Sequence, residues 1–255
     1  MDKDSVNNSL LIVLFMSSFF SITNRVNANQ IALVIDDLGY SYQSGKRAIE
    51  LPGRITYGIL PFAPKSNDLA EYAKKKGKEI IIHLPMEAEN DQQTRIEEIT
   101  LLNNMSSIQY KIILDASLKR LDTAIGLSNH TGSLLTQKRE PMRAVMSKLL
   151  EHKLYFLDSK TSNKSIAVEI AKELNVPNIS RDFFLDNTRQ EANMKRVFEQ
   201  AIKLSRETGE ALIIAHPYAS SLDFLESKLI KLPEDVELVF ASKLAARRLT
   251  APDPL

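Results

Sequence analysis

Short apolar runs alternate with amphipathic segments from Gln30 almost to the end of the chain. The runs are rich in Ile, Leu and Val, which is typical of buried strands. They predict eight strands, at Ile31–Ile35, Ile55–Ile59, Glu79–His83, Thr123–Leu127, Leu154–Leu157, Val176–Ser180, Ala211–Ala215 and Glu237–Phe240. The segments between them carry a helical spacing of apolar residues. They predict seven helices, at Ser44–Ile49, Ser66–Lys76, Ser107–Leu121, Pro141–Glu151, Ser165–Leu174, Met194–Thr208 and Ser221–Leu232.

The order of these elements indicates the fold class. A strand and a helix recur roughly once per 30 residues, which is the rhythm of parallel βα units. Seven or eight such units in one domain, residues 29–255, favour an α/β distorted (β/α)7-type barrel, and a doubly wound open sheet is the alternative. Glu87–Asn104 is the longest segment without a clear pattern, and we expect it to form a flap over the functional site.

The N-terminus differs in kind from the rest of the chain. Leu10–Phe20 is largely apolar and uncharged, and it is too short to span a membrane as a helix. It resembles the apolar region of a signal peptide, and Val26-Asn27-Ala28 then supplies a cleavage site. We expect residues 1–28 to be a signal peptide that is removed, and the protein to be exported, either periplasmic or secreted. An uncleaved N-terminal anchor is the alternative.

Composition narrows the chemistry. The net charge is +1 and the charges are interspersed, which disfavours a nucleic-acid partner or a charged membrane surface. The chain has no cysteine, so disulfides, thiolate ligands and a cysteine nucleophile are excluded. Any transition metal would therefore be held by His, Asp or Glu.

Candidate site residues follow the apolar runs, where parallel α/β folds place their chemistry. Asp36 and Asp37 come directly after the first run, and burying both carboxylates without a cation or hydrogen bonds is costly. They indicate either a metal ligand beside a proton-transfer group or a turn that caps the next helix. His83 ends the third run, and Glu87 follows it after Pro85, which we expect to terminate the strand.

The positions of the histidines give the strongest indication of a site. The chain has four, and we expect three of them, His83, His130 and His216, at strand ends, whereas His152 falls in a helix. Histidines and aspartates at one barrel mouth make a nitrogen and oxygen site suited to Zn²⁺ or a similar divalent ion. Other polar residues after the runs are Asp158, Lys160, Arg181, Asp182 and Asp186.

Together these motifs resemble a known family. VIDDLGY, KEIIIHLPMEA, NHTGS, FLDSKTS, SRDFFLDN, AHPY and ELVFASKL, in this order, are similar to the divergent polysaccharide deacetylases. That family is a branch of the NodB-type carbohydrate esterases, which adopt a distorted (β/α) barrel. The resemblance covers essentially all of residues 30–245.

The resemblance implies roles for individual residues. Asp36 matches the catalytic base and Asp37 the metal ligand of the NodB-type Asp-Asp motif, and His83 matches the first histidine ligand. The position of the second histidine falls on Glu87, and His130 is the alternative ligand that we favour. His216 resembles the histidine that protonates the leaving group. We expect Asp158 and Asp182 to orient the histidines, with Lys160, Arg181 and Asp186 as further supporting positions.

The implied function is that of a metal-dependent hydrolase, with zinc as the expected ion, that deacetylates a polysaccharide or another acylated substrate. The metal would activate water and polarise the acetyl carbonyl. An Arg-x-Pro motif that supports the site in typical NodB-type enzymes is not recognisable, although Arg181 or Lys160 could replace it. A non-catalytic glycan-binding or envelope-structural protein on the same fold is therefore the alternative. A third is a metal-dependent hydrolase acting on another ester or amide. The residues do not predict an oligomeric state.

Overall fold

The computed structural model describes residues 29–90 and 97–250. Its strands are β1 Asn29–Leu38, β2 Thr56–Ile59, β3 Glu79–Met86, β4 Gly126–Thr131, β5 Tyr155–Asp158, β6 Asn178–Ser180, β7 Phe183–Phe184, β8 Glu210–Ala215 and β9 Val236–Val239. Its α-helices are α1 Tyr42–Ile49, α2 Ser66–Lys75, α3 Ser107–Arg120, α4 Arg139–Glu151, α5 Ala167–Glu173, α6 Glu191–Thr208, α7 Ala219–Leu229 and α8 Ala241–Thr250. A 3-10 turn, Leu135–Gln137, precedes α4.

All paired strands are parallel, in the order β6-β5-β4-β3-β2-β1-β8-β7. β1 pairs with β8 along one edge, and on the other edge with β9 through Ala32 and with β2 from Val34 onward. The segment 178–185 joins the two ends of this curled sheet. Its first half bonds to β5, where the amide of Arg181 donates to Asp158, and its second half bonds to β8, where Asp182 donates to Leu212.

Alternate residues of each strand face opposite sides of the curled sheet, because side chains on a strand alternate with a period of two. One buried cluster packs within the curl and includes Ala32, Val34, Ile81, Tyr155, Leu157, Ile179, Leu212 and Ile214. The larger cluster packs the other face against the helices and includes Ile31, Leu33, Ile35, Ile80, Ile82, Phe156, Ala211 and Ile213. The inward-facing residues of neighbouring strands are therefore aligned with one another. The inward-facing residues at the carboxyl ends of the strands form the mouth of the barrel.

A buried carboxylate anchors the last helix at the opposite end of the barrel. The side chain of Glu79, at the start of β3, accepts hydrogen bonds from the hydroxyls of Thr56 and Tyr155 at 2.8 and 2.9 Å. It also accepts from the amide and the hydroxyl of Ser242 in α8. Because Thr56 accepts in turn from the amide of Ala241, this network satisfies the first turn of α8.

The predicted barrel of parallel βα units is confirmed. The eight predicted strands and seven predicted helices all form, with ends that differ by a few residues. The sequence patterns missed two elements, the two-residue strand β7 and the helix α8. The prediction that Pro85 terminates its strand is wrong, since β3 continues to Met86. The carbonyl of Pro85 accepts from Leu101 beyond the end of β2, at a position where a missing N–H is tolerated.

The predicted signal peptide, residues 1–28, lies outside the described residues. No helix within the described part of the chain combines the length and the apolar character that a membrane span requires. The predicted flap, Glu87–Asn104, is described at its two ends, where the amide of Glu87 donates to the carbonyl of Leu101 and the amide of Leu101 donates to the carbonyl of Pro85. That this segment covers the functional site stays a prediction.

Candidate metal site at the mouth of the barrel

The carboxyl ends of four strands surround a pocket of about 320 Å³. β1 supplies the adjacent carboxylates Asp36 and Asp37, β3 supplies His83, and β4 supplies His130. His216 follows β8, the neighbour of β1, and lines the same pocket. The three histidines that we expected at strand ends thus share one pocket. His83 is three residues inside β3, whereas His152 caps the end of α4.

A bulge in β1 turns two neighbouring carboxylates toward the same pocket. Successive residues of a regular strand face opposite sides, so Asp36 and Asp37 would ordinarily diverge. The pairing of β1 with β2 shifts register between Ile35 and Leu38, and Asp37 has a left-handed φ of 62°. Aspartate is one of the few residue types that adopts this conformation readily. The bulge therefore explains how adjacent residues serve one site.

Asp37, His83 and His130 converge on one point. Asp37 Oδ1 lies 3.1 Å from His83 Nε2 and 2.9 Å from His130 Nδ1, and the two ring nitrogens are 3.2 Å apart. Burial acts to raise the pKa of the Asp37 carboxyl, but hydrogen bonds and charge from His130 and His83 outweigh it and hold that pKa well below its usual range. Burial acts to lower the pKa of His130, and the Asp37 carboxylate outweighs burial and raises it.

The three side chains fit a divalent ion such as zinc. Ligand atoms about 2.0–2.1 Å from a tetrahedral ion are roughly 3.3 Å from one another, close to the three separations observed here. Two imidazoles and a carboxylate are also the ligand types that zinc prefers when thiolates are absent.

Asp36 is a buried carboxylate held beside this cluster. It is 1% exposed, and its Oδ1 has no hydrogen-bond partner in the described chain. The same oxygen lies 3.5 Å from His83 Nδ1. Burial raises the pKa of Asp36, with the charge of His83 opposing the rise. Gly58 on β2 makes room for the carboxylate, because a Cβ there would lie only 2.0 Å from Asp36 Oδ1.

His216 and Asp186 form a hydrogen-bonded pair on the β8 side of the pocket. His216 Nδ1 lies 2.8 Å from Asp186 Oδ1, and the His216 amide donates to Asp186 Oδ2 at 2.8 Å. The hydroxyl of Ser221 also donates to Asp186. Burial acts to lower the pKa of His216, but Asp186 and Asp37 outweigh it and raise that pKa to about 9. His216 Nε2 faces the pocket, 3.8 Å from Asp37 Oδ2.

Two residues of β4 support the site, of which Asn129 belongs to the NHTGS motif and Ser128 was not singled out by any motif. Ser128 is fully buried, and its Oγ lies 2.7 Å from His83 Nδ1, the ring nitrogen that faces away from Asp37 and His130. Asn129 is also fully buried, accepts from the amide of Ser159 and donates to the carbonyl of Thr131. The signal for Ser128 was present in the sequence, because it is two residues before His130 and therefore on the same face of the strand.

The remaining predicted positions lie around the pocket without joining the cluster. Glu87, the alternative ligand, accepts from the amide of Asn103 and is outside the group formed by Asp37, His83 and His130. Arg181 donates to the carbonyls of Ser159 and Lys160. Burial lowers the pKa of Arg181.

The expectation that Asp158 and Asp182 orient the histidines is wrong. Asp158 accepts from the amide of Lys160 and the hydroxyl of Ser165, so it shapes its own loop. Asp182 accepts from the amide of Leu212 and helps to close the barrel. Among the predicted supporting carboxylates, the one that binds a site histidine is Asp186.

The fold agrees with a family that sequence comparison identifies. Residues 33–245 match the family described as divergent polysaccharide deacetylase, and the chain belongs to that family. A relative is the uncharacterized protein YibQ of Escherichia coli (strain K12), which is 34% identical over 232 residues. The match covers 91% of this chain and 72% of YibQ.

Solved structures show the same architecture. An uncharacterized protein from Agrobacterium tumefaciens C58 superposes with a TM-score of 0.80 at 24% identity, over 85% of this chain and 89% of that chain. The peptidoglycan deacetylase PdaC from Bacillus subtilis superposes with a TM-score of 0.52 at 17% identity, over 87% of this chain and 93% of that one. The fold is therefore the NodB-like (β/α) fold that the sequence motifs indicated.

Proposed function

We propose that this chain is an exported, metal-dependent hydrolase that removes acetyl groups from a polysaccharide or another glycan. Membership of a deacetylase family supports the reaction class. The observation that carries the proposal is the convergence of Asp37, His83 and His130 within 3.2 Å, beside the buried carboxylate of Asp36, with His216 lining the same pocket. Metal-assisted hydrolysis of an amide or ester requires these groups, namely a set of metal ligands, a general base and a general acid.

Asp37, His83 and His130 would hold the ion. A divalent ion bound there supplies a Lewis acid that polarises an acyl carbonyl. Asp36 would accept a proton from the attacking water, because it carries a carboxylate oxygen beside the cluster with no partner among the described residues. Ser128 fixes the ring of His83 from behind, which keeps Nε2 directed at the cluster.

His216 would donate a proton to the departing nitrogen or oxygen of the sugar. The hydrogen bond to Asp186 raises the pKa of His216, which favours the protonated imidazole at neutral pH. Asp186 binds Nδ1, so the Nε2–H remains directed at the pocket. Asp36 and His216 therefore have opposite protonation roles in one pocket, as acyl transfer requires of a base and an acid.

The substrate class and the location rest on separate observations. PdaC of Bacillus subtilis, which shares this fold, is a peptidoglycan deacetylase, and this supports an acetylated glycan as the substrate here. The apolar segment Leu10–Phe20 and the cleavage pattern ending at Ala28 support export to the compartment where such glycans lie.

The test is acetate release from acetylated chitooligosaccharides and acetylated xylan. Chelator-treated protein should release no acetate, and adding Zn²⁺ should restore release. Asp36→Asn should lower the rate at least about 100-fold, as loss of a general base does. Asp68→Asn, which removes an exposed carboxylate on α2, should leave the rate unchanged.

A result in which the zinc-loaded protein binds these glycans without releasing acetate would contradict the proposal. It would favour the alternative, a non-catalytic glycan-binding protein on the same fold.

A further inference from the structure

A continuous stack of rings and guanidinium groups runs along one side of the pocket mouth. The guanidinium carbon of Arg181 lies 3.8 Å from the centroid of Phe184, which stacks on His216 at 5.9 Å. His216 in turn lies 5.6 Å from Tyr218, and the guanidinium carbon of Arg189 lies 4.6 Å from the Tyr218 centroid. Because Phe184 and His216 line the pocket, the stack leads outward from the reacting centre to Arg189.

The outer end of this stack is the cation of Arg189. This residue is exposed, and its contact with Tyr218 is accompanied by no ion pair within the part of the chain that the structure describes. Most other arginines of the described chain pair with carboxylates, namely Arg47, Arg54, Arg139, Arg143, Arg206, Arg247 and Arg248. A guanidinium that lies flat on an aromatic ring keeps its N–H groups free for a carboxylate at its edge.

The two sides of the mouth differ in charge. On the β3 side, Glu97 accepts from the hydroxyl of Tyr40 at 2.6 Å and lines a surface pocket with Pro85 of β3. Glu89 lies on the same side, where its amide donates to Ser133 of the pocket wall. An anionic ligand is therefore repelled from the β3 side. Its attraction to Arg189 is local, because Glu191 and Asp223 line the same surface pocket as Arg189 and Asp223 already pairs with Arg47.

We propose that the substrate is an acidic glycan, whose acetylated sugar enters the pocket while a neighbouring sugar presents a carboxylate to Arg189. This inference deepens the proposed function and rests on it. Tyr218 is 40% exposed and offers a flat apolar face to the sugar ring between the two sites. One guanidinium suits one singly charged carboxylate, because the two groups match in charge and in their paired hydrogen-bond geometry.

The test compares two oligosaccharides of the same length by isothermal titration calorimetry at 0.15 M salt. A hyaluronan tetrasaccharide carries N-acetylglucosamine alternating with a carboxylate sugar, whereas chitotetraose carries N-acetylglucosamine alone. The wild-type protein should bind the hyaluronan tetrasaccharide about fivefold more tightly, which is the upper range for one exposed ion pair. Arg189→Gln should bring the two affinities together.

The matched control is Arg196→Gln, which removes an exposed arginine of α6 that bonds to Asn193 and Gln200. It should keep the wild-type preference. Equal affinity of the wild-type protein for the two tetrasaccharides would overturn the inference, and so would a preference that survives Arg189→Gln.

The same titrations on Asp36→Asn separate this inference from the proposed function. Binding needs no turnover, so the preference should persist in that variant. Release of acetate from neutral glycans by a protein without the preference would overturn the acidic-substrate inference alone. A preference without acetate release under any condition would contradict the hydrolase alone.

Discussion

Gly58→Ala is a substitution that should separate catalysis from stability. An ideal Cβ at Gly58 would lie 2.0 Å from Asp36 Oδ1, 3.0 Å from its carboxyl carbon and 3.3 Å from its Cα. Ordinary contacts begin at about 3.4 Å, so the carboxylate oxygen must move by more than 1 Å. The oxygen is the far end of a short side chain, and rotation of that side chain is the least costly way to relieve the contact.

The expected stability loss is therefore small and the expected activity loss large. Relieving the overlap should lower the free energy of unfolding by about 1 kcal/mol, the lower end for overpacking. Displacing a reacting group by about 1 Å can lower a rate about 100-fold. Affinity for zinc should change little, because Asp36 is outside the group formed by Asp37, His83 and His130.

Gly77→Ala is the matched control. Gly77 has a left-handed φ of 65°, and nothing lies within 4 Å of an ideal Cβ there. Alanine at that position should cost about 1 kcal/mol through backbone strain alone. Urea unfolding and acetate release would be measured on both variants. Equal retention of activity by the two, at similar stability, would refute the catalytic role assigned to Asp36.

Three further predictions concern groups that support the site or the barrel. Ser128→Ala should lower zinc affinity about 10- to 100-fold, because it removes the hydrogen bond behind the ligand His83. Ser128→Thr keeps a hydroxyl and should retain most of the wild-type affinity. Equal zinc affinities of Ser128→Ala and the wild type would contradict a positioning role for Ser128. Asp186→Asn should lower the pKa of His216 in the metal-free protein from about 9, and an unchanged imidazole titration by NMR would refute that coupling. Glu79→Ala should destabilise the protein by about 3 kcal/mol in urea unfolding, because it leaves buried hydroxyls unpaired. A loss below about 1 kcal/mol would show that the network is dispensable.

The sequence predicted the barrel because its strands are strongly apolar and regularly spaced. β7 escaped prediction because two residues carry no periodic pattern, and Phe183 and Phe184 extend only by pairing with β8. α8 escaped because its first turn is held by Thr56 and Glu79, which lie far away in the chain.

The candidate site was predictable to the extent that strand ends meet in a parallel barrel. Strand order alone brings Asp37, His83 and His130 to one edge, but the bulge that turns Asp37 inward depends on a local φ that no motif specifies. The partner of His216 could not be chosen among nearby aspartates, because Asp158, Asp182 and Asp186 all follow strands. Their roles differ because each carboxylate accepts from a different backbone amide, and these hydrogen bonds form only in the folded chain.

The most direct test of the central claim is a zinc titration of the purified, chelator-treated protein and of three variants. We expect about one ion per wild-type chain. His83→Ala and His130→Ala should each lose at least about 100-fold in affinity, because each removes a ligand. Glu87→Ala should bind zinc as the wild type does, since that side chain bonds to Asn103 outside the cluster. Absence of zinc binding by the wild-type protein, or loss of binding in Glu87→Ala but not in His130→Ala, would contradict a metal site formed by Asp37, His83 and His130.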